Sequence, residues 1–319
     1  MTRYRWLLMT ILLFGAAGAQ AQSSRSATAY WERGTHSYAK GDIEGAINDF
    51  STAIAFEPGF AMAYNNRGIA RYVIGDFDGA LSDYNRCIAL NPRLAVAYNN
   101  RGLVNRAIGD IEAALADYDK AIALNPNFAM AYYNRGIAQY LKGDLDGAIL
   151  AYDRAIAGRN QLTWVYEAMT YNNRGVALQT KGDLDKALSD YNKAISLNER
   201  HKVYSKPEPD PWNGATDASF ATFGPGDSLT HRLAGPYNNR GALLIAKGQV
   251  TEAVSDLDRA ILINPHDAGA YANRGFAMLL LGRVDDAQRS FTRALQLDAK
   301  LDSAIKEGSH AIKHRLLDH

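Results

Sequence analysis

The sequence predicts an all-α solenoid of seven helix-turn-helix repeats closed by a C-terminal helix, on three observations. The stretch AYNNRG at 63–68 returns intact at 97–102 and in close copies elsewhere, and its glycine recurs at Gly34, Gly68, Gly102, Gly136, Gly175, Gly241 and Gly275. The spacings are 34, 34, 34, 39, 66 and 34 residues. A second glycine follows seven residues after each of these, an alanine five further on, and an aromatic residue or leucine four beyond that. Self-similarity at such a period marks a supersecondary unit that buries its apolar side only by stacking on its neighbours.

Within each repeat, the first helix runs from about the motif's tyrosine to the residue before the second glycine. Gly41, Gly75, Gly109, Gly143, Gly182, Gly248 and Gly282 suit the left-handed position after a helix, which is costly for other residues. Asp42, Asp76, Asp110, Asp144 and Asp183 follow as N-caps of the second helix. Glu44, Asp78, Glu112, Asp146 and Asp185 favour its positive end. Apolar residues at helical spacing, such as Ile47, Phe50 and Ile54, define its buried side. Pro58, Pro92, Pro126 and Pro265 stop it.

The 34-residue period with this Gly, Ala, aromatic and Pro pattern resembles the tetratricopeptide repeat family over about residues 29–303. Tyrosine stands where the family pattern has tryptophan, at Tyr30, Tyr64, Tyr98, Tyr132, Tyr171, Tyr237 and Tyr271. The resemblance implies a right-handed superhelix with the first helices lining its concave surface. The repeats are placed at 29–62, 63–96, 97–130, 131–169, 170–203, 236–269 and 270–303, with an insertion at 204–235 and a capping helix at 304–319. Ile305, Ile312, Leu316 and Leu317 form the apolar side expected of that cap.

At 100° per residue, Tyr64, Gly68 and Arg71 share one side of the first helix, whereas Met62, Asn65, Asn66, Ile69 and Val73 share the other. The resemblance turns the second set toward a groove. The second asparagine of the motif then forms a column: Asn66, Asn100, Asn134, Asn173, Asn239 and Asn273. An amide both donates and accepts, so it can pair with a peptide bond whatever the side chain. The column reads either as a ladder holding a peptide or as a device ordering neighbouring repeats, and the first reading is adopted. Ile69, Leu103 and Ile137, bordered by Tyr72, Tyr133 and Tyr140, complete the expected peptide-binding set. The motif's arginine is expected to pair with the aspartate before the second-helix aromatic, so Arg67, Arg101, Gly68, Gly102, Asp83 and Asp117 are taken as structural. Ala151 and Ser290 break that pairing rule. The basic clamp that some family members use for acidic tails is not matched, because its positions hold Trp31, Val96 and other uncharged residues.

Arg3 and Arg5, the apolar run from Trp6 to Ala17 and Ala19-Gln20-Ala21 read as a signal peptide over 1–21, followed by a short linker at 22–28. A periplasmic or secreted chain is expected, with no membrane span after cleavage. Net charge is +1, and removing Arg3 and Arg5 takes it to about −1, which argues against a nucleic-acid partner. The single Cys87 aligns with Ala53, Ala121 and Ala155 and reads as a small core residue. The insertion carries Trp212, Phe220 and Phe223 among prolines and glycines. His310 and His314 stand four apart and read as a solvated helix face. No catalytic residue, metal site or cofactor is expected. The reading is a non-enzymatic interaction scaffold of the cell envelope, gripping an extended protein or peptide segment. The alternative is a structural organiser that works through its convex face or through the insertion.

Overall fold

The computed structural model describes residues 25–204 and 229–317. The signal-peptide reading, Trp212, Phe220 and Phe223 lie outside the described residues, as do the side chains of His314, Leu316 and Leu317. Fifteen α-helices and no strand occur among the described residues. They run in hairpins: α1 (25–39) with α2 (Ile43–Phe56), α3 (Ala61–Val73) with α4 (Phe77–Leu90), and α5 (Ala95–Ala107) with α6 (Ile111–Leu124). Next come α7 (Ala129–Lys142) with α8 (Leu145–Ala157) and α9 (Trp164–Lys181) with α10 (Leu184–Tyr204). The last pairs are α11 (Leu229–Ala246) with α12 (Val250–Ile263) and α13 (Ala268–Leu280) with α14 (Val284–Leu297), before the final helix α15 (Asp302–Leu317). The described residues fall into two compact units, 25–138, and 139–204 with 229–317, each a helical-repeat stack.

The hairpin turns follow the predicted chemistry. All seven second glycines have positive φ, from 72° at Gly282 to 95° at Gly182. Asp42, Asp76, Asp110 and Asp144 each accept from the backbone N–H three residues on. The first glycines serve a different need. A Cβ on Gly68 would lie 2.9 Å from the Tyr84 ring, and one on Gly102 would lie 2.7 Å from Tyr118. Gly175 meets Tyr191 and Gly275 meets Phe291 in the same way. The two helices of a hairpin therefore approach until a ring rests on bare backbone. Tyr84, Tyr118 and Tyr191 are fully buried as a result, and each such ring contributes roughly 1.5–3 kcal/mol.

Helix ends follow proline. Asn91, Asn125 and Asn264 leave the helical region with ψ of 86°, 91° and 90°. Each precedes a proline, whose ring clashes with a helical residue before it. Glu199 stands where that proline would be in the fifth hairpin, and α10 runs on through 21 residues to Tyr204. On the far side α11 begins at Leu229 and passes through Pro236. Helix thus covers residue 204 and residues 229–235 of the segment that the sequence reading treats as an insertion. The five extra residues before the fifth hairpin form the short 3₁₀ turn Arg159–Gln161 and lengthen α9 to 18 residues. At the C-terminal end Ile305 is buried, and a Cβ on Gly308 would lie 2.6 Å from the Phe276 ring, so α15 closes over α13.

Candidate functional site

The repeated motif resolves into four jobs. Its tyrosine lies beneath the arginine three residues on: Tyr64 with Arg67 and Tyr98 with Arg101 at 5.6 Å, Tyr171 with Arg174 at 5.5 Å. The helical wheel groups Tyr64 with Gly68; the structure leaves it half-buried as a platform for the guanidinium.

The arginine binds in two directions. Arg67 donates from Nε and Nη2 to Asp83 of its own hairpin (3.0 and 2.7 Å) and from Nη1 to Ser51 of the preceding one (3.0 Å). Arg101 repeats this with Asp117 and Asn85, Arg174 with Asp190 and Asp153, and Arg240 with Asp256 and Asn192. The expected pairing lies within the repeat, and the same side chain also ties each hairpin to the one before it. Two hairpins lack the aspartate. There Arg135 turns back to Asp119, and Arg274 turns back to Asp258 while also donating to Ser290. Asp83 is nearly inaccessible and takes Arg71 as a second partner at 2.9 Å.

The asparagines form chains rather than a single open column. In the first unit Asn134 donates to Asn99 (2.9 Å), Asn99 to Asn100 (3.2 Å), Asn100 to Asn65 (3.2 Å) and Asn65 to Asn66 (3.1 Å). In the second unit Asn239 donates to Asn172, Asn172 to Asn173, and Asn273 to Asn238. Each bond between hairpins ends on a first asparagine of the motif, which the sequence reading leaves without a role.

Several expected groove residues are closed off. Asn66, Asn100, Asn134, Ile69, Leu103, Tyr72 and Tyr133 are buried. Ile69, Leu103 and Tyr72 share one apolar cluster with Tyr84 and Val104. The wheel separates the two sides of one helix, but the next first helix covers most of the second side. Ile137, Tyr140, Asn173, Asn239 and Asn273 remain half-buried.

One side chain on this face escaped the sequence reading. Arg106 on α5 occupies the place held by Tyr38, Tyr72 and Tyr140 in other hairpins and by Gln179 in the fifth. Gln179 shows what the position reaches, since Tyr191 donates to its Oε1 at 2.7 Å. Arg106 pairs with the Tyr118 hydroxyl, with Tyr72 and Tyr133 also in its electrostatic surroundings. The guanidinium and the Tyr118 hydroxyl lie within hydrogen-bonding range of each other, in a geometry that leaves Nε itself poorly matched. Arg33, Arg67, Arg71, Arg101 and Arg135 in the same unit each hold a carboxylate.

Burial sets the remaining electrostatics. It pushes the Tyr84 and Tyr118 hydroxyls well above their ordinary value, so both stay protonated donors. It pushes the Cys87 thiol up to about 12. No group of three or more His, Cys, Asp and Glu among the described residues is placed to hold a metal ion, and no described helix is long and apolar enough to cross a membrane.

Tetratricopeptide-repeat profiles match at residues 37–75 and 104–143, 61–94 and 168–201, and 244–307, together more than half of the chain. The chain belongs to the tetratricopeptide repeat family. Among solved tetratricopeptide structures, a repeat protein from Parabacteroides merdae aligns over 91% of this chain and 99% of its own, at 18% identity and a TM-score of 0.59. PilF of Pseudomonas aeruginosa aligns over 78% and 96%, at 14% identity and a TM-score of 0.59. MamA is 28% identical over 56% of this chain and 96% of its own, with a TM-score of 0.46. No curated protein sequence matches the chain.

Proposed function

We propose that this tetratricopeptide repeat protein is a non-enzymatic scaffold that holds an extended segment of a partner protein along the face of its first helices. The observation carrying this reading is the division of labour on those helices. One side is spent on rings pressed against Gly68, Gly102 and Gly175, whereas the other retains half-buried polar and aromatic groups: Tyr38, Arg106 and Ile137 in the first unit, Tyr140, Asn173, Asn239 and Asn273 in the second. Half-buried amides and rings offer hydrogen bonds and apolar contact at low ordering cost, which suits a backbone-reading surface. The buried Asn66, Asn100 and Asn134 would hold the hairpins in register, leaving the more open asparagines for the ligand. The basic-apolar-small pattern over 1–21 supports action in the cell envelope.

A photoreactive residue placed at Tyr140 tests the reading against one placed at the exposed Arg154 on α8. Cells expressing each variant are irradiated and the adducts are sequenced. Crosslinks from 140 mapping to one short partner stretch are expected. Adducts from 154 alone would transfer the interaction to the second-helix face and end this proposal.

A further inference from the structure

The asparagine chain of the first unit runs in one direction and has an end. Its bonds between hairpins pass from a second asparagine back to the first asparagine of the hairpin before, Asn134 to Asn99 and Asn100 to Asn65. By that register Asn66 would donate to residue 31. That residue is Trp31, and an indole N–H has no acceptor to offer. Asn66 therefore accepts from Asn65 and donates to no group among the described residues, although it is only 6% exposed.

A half-open recess lies at the same place, lined by Thr35, Tyr38, Phe50, Asn66 and Ile69. Thr35 accounts for it. The residue after the first glycine is Ile69, Leu103, Ile137, Val176 or Phe276 in five of the six other hairpins, so the first hairpin is short of side-chain volume there. The room inside amounts to about 10 Å³, enough for one water-sized group. Water is poorly suited to it. A buried water needs about two to four polar partners, yet the Thr35 hydroxyl is already spent on the Trp31 carbonyl at 2.9 Å, and Phe50 and Ile69 offer carbon alone.

We propose that this recess seats a methyl group of the bound segment, carried by an alanine or a valine, and that the Asn66 amide donates to a backbone carbonyl beside it. This rests on the peptide-holding reading above and adds a side-chain preference to it at the first hairpin. The Asn66 oxygen serves the register of the hairpins, and its nitrogen serves the ligand. Burying one methyl there is worth about fourfold in affinity.

The test uses the full chain and a phage-displayed library of random dodecapeptides. Each residue of the selected peptides is replaced in turn by Gly, Ala, Val, Leu and Trp, and the series is titrated by fluorescence polarisation. One position should prefer Ala or Val, losing about fourfold with Gly and about tenfold with Trp, whose ring exceeds the recess. T35I fills the recess from within, whereas T35V keeps the shape of threonine. T35I should therefore bind the Gly and Ala forms within about 1.5-fold of each other, and T35V should keep the fourfold difference of about 0.8 kcal/mol. T35I should also melt no lower than T35V, because the added carbon occupies empty space. T35A widens the recess and should move the preference toward Leu, which carries the test if T35I does not fold. An amide-to-ester change at the preferred residue weakens the carbonyl as acceptor and should cost about threefold; no loss would remove Asn66 from the contact. Peptides with no such position, a preference unchanged by T35I or T35A, or a T35I chain that melts below T35V would overturn the recess as a side-chain site while leaving peptide binding intact. Failure to select any peptide would remove both proposals.

Discussion

Arg135 takes its carboxylate from Asp119, sixteen residues before it, whereas Arg67, Arg101, Arg174 and Arg240 each take one from sixteen residues after. The exception coincides with Ala151, which stands where the other hairpins carry the following aspartate. Each motif arginine from Arg67 onward therefore reaches a carboxylate, whichever neighbour supplies it.

Moving the charge should be possible. Asp119 is 58% exposed in its side chain, so D119S should cost only about 0.5–1 kcal/mol. Adding A151D in the same chain should restore most of that loss, because Arg135 regains the arrangement of Arg67. Urea melts of the single and double variants measure it; strict additivity of the two changes would mean that Arg135 never makes the new pair.

Removal of the buried partner is a larger matter. Asp83 is 3% exposed and holds both Arg67 and Arg71. D83A leaves two cations without their shared carboxylate and should cost about 3–5 kcal/mol. The same change at Asp258, which is 53% exposed, should cost under about 1 kcal/mol. Comparable losses in denaturant titrations would show that burial is not what separates them.

Asn100 is 1% exposed, donates to Asn65 and accepts from Asn99. N100A strips a partner from two buried amides, and a loss of about 1–3 kcal/mol is expected. Asn273 donates to Asn238 from a half-buried place, and N273A should cost less than about 1 kcal/mol while weakening peptide capture. Calorimetry alongside a peptide titration separates the two; a stable N100A chain with lost binding would return the ligand role to the buried asparagines.

Alkaline pH should unfold the protein by a defined route. Burial raises Tyr84, Tyr118 and Tyr191 above their ordinary value of 10.0, and Cys87 from 9.0 to about 12. A raised acid keeps its proton in the folded state while the unfolded chain has released it. Stability from these groups is therefore complete below about pH 9 and falls as pH climbs toward 12. C87A should shift the onset upward, toward the tyrosine range. Melting points that stay level through pH 11 would contradict the burial argument.

Much of this was readable in advance because it is local. A glycine that must take positive φ, an aspartate three residues before a bare N–H, and a proline that unwinds Asn91 all act within a few residues. The motif's arginine partner was also within reach, since an aspartate stands at the Asp83 offset in five of the seven repeats. What escaped depends on closure between hairpins. Asn65 and Asn66 look alike on a helical wheel, yet only the first accepts from Asn100 of the next hairpin. Ile69 and Leu103 look open on the wheel and are sealed by stacking. Arg106 was hidden because a single departure from tyrosine carries no weight until the Tyr118 hydroxyl is seen beside it.

The two-way reach of the motif arginine makes the hairpins a sentence rather than a pile of equivalent words. A copy of the fourth hairpin, with Ala151, can follow the third, whose Asp119 supplies its charge, or another fourth, through Asp153. Set behind the second hairpin it would meet Asn85, and Arg135 would face only a neutral amide. Duplication and reshuffling of such repeats are thus constrained by who stands next to whom, and order along the chain carries information that no single repeat contains.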